Sequence, residues 1–146
     1  MASGTRLYLA WLVATIATLG SLYFSEVRHF IPCTLCWYQR ILMYPLVVLL
    51  GIASYRQDQH IKGYLLPLTL LGMVVSSYHY LEQKVPGFGA AGLCRSGVPC
   101  SGSYINWLGF ITIPLLALTA FTLISLLLSS LYLAERRHSV RRPAGA

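Results

Sequence analysis

Two cysteines separated by two residues, Cys33-Thr-Leu-Cys36, with Arg40 one helical turn after the second, are the residues of this chain best suited to chemistry. A dithiol this close can close into a small disulfide ring and reopen, which suits electron exchange more than stapling. Where such a pair opens a helix, the unpaired N–H groups and the helix dipole favour a thiolate over a thiol. Arg40 then stacks on the face of Cys36, where its charge stabilises a Cys36 thiolate or an anionic intermediate beside it. Snorkelling to a membrane interface is the other reading of Arg40, and the two are compatible.

A second pair, Cys94 and Cys100, encloses Arg95-Ser-Gly-Val-Pro99. The glycine and proline help the chain turn back so that the sulfurs meet, and Arg95 favours a thiolate at Cys94. The pair reads either as a loop-closing structural disulfide or as a shuttle that touches two partners in turn. Its setting favours the shuttle, because residues 86–102 hold five glycines and two prolines and are expected to be pliable. His79 lies near the end of an apolar run, where a histidine is either a site residue or an interfacial group reaching water.

The elements that position these residues follow from hydropathy. Only 10% of the residues are charged and mean hydropathy is +0.63, too few charges to cover a water-facing surface. Uncharged runs cover Leu7 to Ser25, Gly63 to Leu81 and Leu108 to Leu133, each long enough to cross a bilayer. The run Ile41 to Tyr55 has 15 residues, or about 22 Å of helix. It reaches the roughly 30 Å of a hydrocarbon core only when continued back to Cys36, which puts the thiols and Arg40 into the outer end of a spanning helix. The expectation is an all-α integral membrane four-helix bundle forming a single domain. Its helices cover about 7–25, 36–55, 63–81 and 108–133, its outer loops 26–35 and 82–107, and a basic tail 135–146. The first helix reads as retained, since Ser25-Glu26-Val27-Arg28 offers no small-x-small cleavage site.

Cation placement orients the bundle. Arg6, Arg56, Lys62, Arg136, Arg137, Arg141 and Arg142, 7 of the 11 Lys and Arg, share the side of both termini. That side is therefore expected to be cytoplasmic, with both cysteine loops on the opposite face. The net charge of +7 then reflects membrane orientation and lipid headgroups rather than nucleic acid. Outside the cytoplasm disulfides persist. Four cysteines allow three pairings, and proximity favours Cys33 with Cys36 and Cys94 with Cys100. The five-residue gap and the oxidising compartment argue against a metal centre, so no metal is expected, although a membrane metal-binding protein using the four cysteines is the binding-module alternative. A four-helix scaffold stapled by two inert disulfides is the structural one.

Cys-Thr-Leu-Cys-Trp-Tyr-Gln-Arg at the head of the second of four helices resembles the DsbB family of disulfide-bond formation proteins, and the short second loop resembles its BdbC-like branch. The resemblance runs through helix number, topology, both cysteine pairs and the Trp107-Leu-Gly-Phe-Ile-Thr-Ile-Pro114 lead into the fourth helix. It implies a membrane thiol–disulfide oxidoreductase of a prokaryotic cell membrane. Such an enzyme reoxidises a thioredoxin-fold disulfide donor and passes the electrons to ubiquinone or menaquinone. By this resemblance Cys33 and Cys36 exchange electrons with the quinone, with Cys36 next to its ring. Arg40 matches an arginine beside the quinone, and His79 falls near a histidine at the end of the family's third helix. Cys94 and Cys100 oxidise the partner protein. Better-known members space the second pair more widely and carry an amphipathic interfacial helix in that loop, which this loop is too short to hold. A quinone-epoxide-reductase-like enzyme has the same parts and runs electrons the other way.

Overall fold

A computed structural model describes residues 3–85, 87, 94 and 98–141. Helix α1 (Ser3–Leu22) widens at its end into a π-helical turn, Tyr23–Val27, and is followed by α2 (Thr34–Arg56), α3 (Lys62–Lys84) and α4 (Ile113–Arg141). No strand occurs among the described residues. All four helices are long and apolar enough to cross a membrane, as the composition requires.

Helix α2 begins two residues before the expected Cys36, so its 23 residues extend about 35 Å. The fourth helix begins five residues later than expected. Leu108 and Gly109 adopt left-handed backbone angles (φ 53° and 78°) in a tight turn that pairs Trp107 with Ile111. Left-handed residues cannot start a right-handed helix, so α4 forms only after the turn closes. Pro114 falls in its first turn, where a missing N–H is harmless.

Around the bundle each helix packs against its two sequence neighbours, and α1 closes the ring on α4. Arg6 donates to the Ser130 carbonyl (2.9 Å) and Gln59 to the Ser3 hydroxyl (2.7 Å). These bonds gather the start of α1, the α2–α3 loop and the last part of α4 at one end. Leu7, Leu46, Leu50, Phe121, Ile124 and Leu128 fill the interior. Two features fix how α3 meets α4. The buried Ser125 hydroxyl donates to that of Thr69 at 2.9 Å, and Gly72 leaves the space that the Phe121 ring occupies. Small residues and buried hydroxyls are what hold helices together where the surrounding solvent is itself apolar. The opposite end of the bundle carries all four cysteines.

Candidate functional site

Cys33 caps α2. Its backbone is extended, its carbonyl accepts the first helical bond from Trp37, and its sulfur accepts the Cys36 N–H at 3.4 Å. Pro32 before it ends the approach from the first loop, and of the free N–H groups of the first turn that of Cys36 points at the sulfur. The Cys33 and Cys36 sulfurs are unbonded and 2.8 Å apart. Cys33 is buried and Cys36 half-buried. Cys94 and Cys100 are joined in a disulfide, the pairing that proximity favours.

His79, in the last turns of α3, is 1% exposed and sets Nε2 3.6 Å from the Cys33 sulfur. Its Nδ1 meets the Gln39 side-chain nitrogen at 3.2 Å. An amide nitrogen can only donate, so Nδ1 accepts and the ring proton resides on Nε2, directed at Cys33. The hydrogen bond from the Cys36 thiol, and secondarily His79, hold Cys33 well below the ordinary thiol range despite its burial. A lowered thiol pKa means that the thiolate survives at lower pH. In the reduced chain, modification of Cys33 by methyl methanethiosulfonate is therefore expected to keep its rate down to about pH 6. In His79→Ala the fall should begin at higher pH, and an unchanged profile would remove His79 from this role.

The second loop is fastened onto the first. Gln83, at the end of α3, donates to the carbonyls of Cys100 (3.4 Å) and Gly102 (3.2 Å). Tyr104 donates to the Ile31 carbonyl (3.2 Å) and stacks on Phe30 with ring centroids 4.7 Å apart. Lys84 binds Asn106 and the Gly109 carbonyl at 3.0 and 2.6 Å. The expected pliability therefore does not extend to the described part after Val98. Residues 88–93 and 95–97, with Arg95, lie outside the described residues. The consequence of the fastening is that the Cys100 sulfur, the Cys33 sulfur and a His79 nitrogen all lie within 4.8 Å of one another. The same cluster has metal-ligand chemistry, but with Cys100 bonded to Cys94 its sulfur offers no thiolate.

On the other side of Cys36 a cavity of about 530 Å³ opens between α1, α2 and α4. Its walls are chiefly apolar, with Cys36, Gln39, Arg40, Ser21, Tyr44, Tyr104 and Thr119 as polar exceptions. Arg40 donates to the Ser21 carbonyl at 3.2 Å, just before the π-helical turn, and lies over the Trp37 ring at 5.5 Å. The Ser21 and Tyr44 hydroxyls are 3.3 Å apart. Cys36 thus has a cavity on one side and Cys33 on the other. Cys33 has Cys36 on one side and Cys100 on the other.

The family profile described as "Disulfide bond formation protein DsbB" matches residues 4–131. The chain belongs to the DsbB family. It is 67% identical over 118 residues to "Disulfide bond formation protein C" of Bacillus subtilis, covering 81% of this chain and 86% of that protein. A "Probable disulfide formation protein C 1" of Bacillus anthracis is 56% identical over 119 residues, covering 82% and 86%. A "Probable disulfide formation protein" of Coxiella burnetii is 50% identical over 133 residues, covering 90% of each. No solved structure shows significant similarity to the chain. Family membership and the spanning helices together mark a disulfide-forming, multi-pass membrane protein.

Within this DsbB-family site the structure brings Cys33, Cys36, His79, Cys94 and Cys100 into one cluster. Arg40 is on the cavity wall beside Cys36. His79 does not line that cavity; its ring touches Cys33 instead. Reading the sequence missed Gln39, Gln83 and Ser21. Gln39 carried a usable signal, being an uncharged polar residue three positions after Cys36 inside a spanning helix. Ser21 carried none, because what meets Arg40 is its backbone carbonyl and its hydroxyl meets Tyr44 only through the packing of α1 on α2.

Proposed function

We propose that this DsbB-family protein oxidises a thioredoxin-fold dithiol protein on the outer face of a prokaryotic cell membrane and passes the electrons to a quinone, ubiquinone or menaquinone. The cation-rich end, with both termini, faces the cytoplasm. The observation that carries the reading is the position of the first dithiol, with Cys33 within 4.8 Å of Cys100 and Cys36 on the wall of an apolar cavity.

The cavity fits such a ligand. Its volume is that of a small-molecule site, its walls suit a flat apolar ring, and Arg40, Tyr44 and Ser21 provide donors for ring oxygens. A quinone held there by Arg40, Tyr44 and Ser21 would supply a two-electron, two-proton acceptor. The chain's own residues do the rest by thiolate exchange. A partner thiolate attacks the Cys94 sulfur, the half-exposed member of its pair, and the bond to Cys100 breaks. The partner's second thiol resolves the mixed disulfide, and the partner leaves oxidised. With the first pair closed, Cys100 bonds to Cys33 and Cys36 leaves as a thiolate. Cys94 then attacks Cys100, which reforms the second disulfide and frees Cys33 under the His79 N–H. Two electrons now reside on the first dithiol, at the cavity wall.

The test follows quinone absorbance anaerobically, with the detergent-solubilised protein and a reduced thioredoxin-fold dithiol. One quinone reduced per dithiol oxidised is the expected result, and no absorbance change would overturn the reading. A charge-assisted hydrogen bond contributes about 1.5–3 kcal/mol. Arg40→Ala should accordingly raise the KM for quinone about tenfold or more, while leaving oxidation of the first dithiol equivalent unchanged.

A further inference from the structure

Glu82 ends the α3 face that carries His79, three residues further on. One of its carboxylate oxygens lies within 4.8 Å of the sulfurs of both Cys94 and Cys100. Its Oε2 is buried and has no hydrogen-bond partner among the described residues. The neighbouring cation is not its counter-ion, since Lys84 is turned to Asn106 and Gly109. Among the described residues, the other titratable groups packed around the two disulfide sulfurs are His79 and Tyr78 from α3, Cys33 and Cys36 from α2, and the two loop cysteines themselves. A carboxylate oxygen buried with no partner among the described residues calls for an explanation, and here its side chain adjoins the one bond that must open first.

We propose that Glu82 is the proton donor and acceptor of the Cys94–Cys100 disulfide. The inference rests on the proposed relay and adds to it a proton path. When an incoming thiolate bonds to Cys94, the electron pair of the broken bond goes to the Cys100 sulfur. Cys100 is 1% exposed, so water cannot solvate that charge. A carboxylate within 4.8 Å would also repel it, since two like charges in a buried site disfavour joint ionisation. Glu82 in its acid form removes the conflict. Its proton moves to Cys100 as the sulfur leaves, and Glu82 becomes the carboxylate. When Cys100 bonds to Cys33 and Cys36 departs with the electron pair of that bond, the proton returns from Cys100 to Glu82. Electrons and protons balance, and Glu82 ends as it began. In the interval Cys100 is a thiol, so it does not attack Cys94 and return the partner unoxidised.

Reductive opening of the Cys94–Cys100 disulfide by dithiothreitol tests this without quinone. The detergent-solubilised full chain is compared with Glu82→Gln and Glu82→Asp between pH 5 and pH 9, with trapped Cys100 measured by mass spectrometry. The reductant's own titration is common to all three proteins and cancels in the rate ratios. Wild type should open about tenfold faster than Glu82→Gln at the acid end. The two should converge at the alkaline end, and Glu82→Asp should keep the wild-type shape. A displaced loop would lower the rate equally at every pH. A ratio that does not vary with pH, or an aspartate variant that behaves like the glutamine one, overturns the proposal. Failure of quinone reduction in the other assay would leave this result standing, so the two readings fail separately.

Discussion

Serine in place of Cys33 is expected to leave one turnover and no more. The Cys94–Cys100 disulfide does not depend on Cys33, so each Cys33→Ser chain should still oxidise one equivalent of partner dithiol. The second disulfide then stays open, because the sulfur that lies within 4.8 Å of Cys100 is gone. Steady quinone reduction should fall by at least about a thousandfold, as expected when a nucleophile acting in series is removed. Titration of the thiols formed in a single mixing experiment, beside quinone absorbance over many cycles, separates the two halves. Sustained turnover would show that electrons reach Cys36 by another way, and the division of labour between Cys33 and Cys36 would be wrong.

The second large effect is on stability. A methyl group at Gly72 would overlap the Phe121 ring of α4, which is fully buried and has no room to retreat. Overpacking of this kind outweighs the better helix propensity of alanine, and Gly72→Ala should destabilise the bundle by about 2 kcal/mol. Phe121→Leu vacates part of the same space. The double variant Gly72→Ala with Phe121→Leu is therefore expected to lose less than the sum of the two single variants, by about 1 kcal/mol. Unfolding in mixed micelles measures all three. Strict additivity would mean that α3 and α4 do not meet at this point. Activity should follow, since Gly72 lies two turns before His79 on the same helix, and parting α3 from its neighbours moves the imidazole away from Cys33.

Much of this architecture is legible because its causes are local. Charge-free runs of membrane length depend on composition alone, and they identify four helices and the short second run whose continuation carries Cys36. The late start of α4 was also local, but it was hidden. Leu108 is as apolar as the helix that follows, and only its left-handed backbone beside Gly109 holds it out of that helix. Spacing reveals the two cysteine pairs. It does not reveal that Cys100 lies against Cys33, because that depends on Gln83 and Tyr104 fastening one loop to the other. Tyr104 reads as one of several aromatics at a membrane interface, and nothing in its neighbours betrays the Ile31 carbonyl. The pairing of Gln39 with His79 depends on how α3 is rotated against α2, which packing decides. For the same reason the depth of His79 marks it only as a site candidate, and the rotation of α3 decides that its ring meets the Cys33 sulfur.

The fastened second loop has a kinetic consequence. A sulfur held within a few ångströms of its target reacts as though present at very high concentration. Well-oriented intramolecular reactions reach effective molarities of about 10⁵ to 10⁸ M, whereas a slack tether supplies only millimolar levels. A free thiol in solution, even when abundant, cannot compete with Cys100 for Cys33. In the proposed relay this proximity would insulate the first pair from stray reductants without a lid, so that oxidising equivalents are drawn through Cys94.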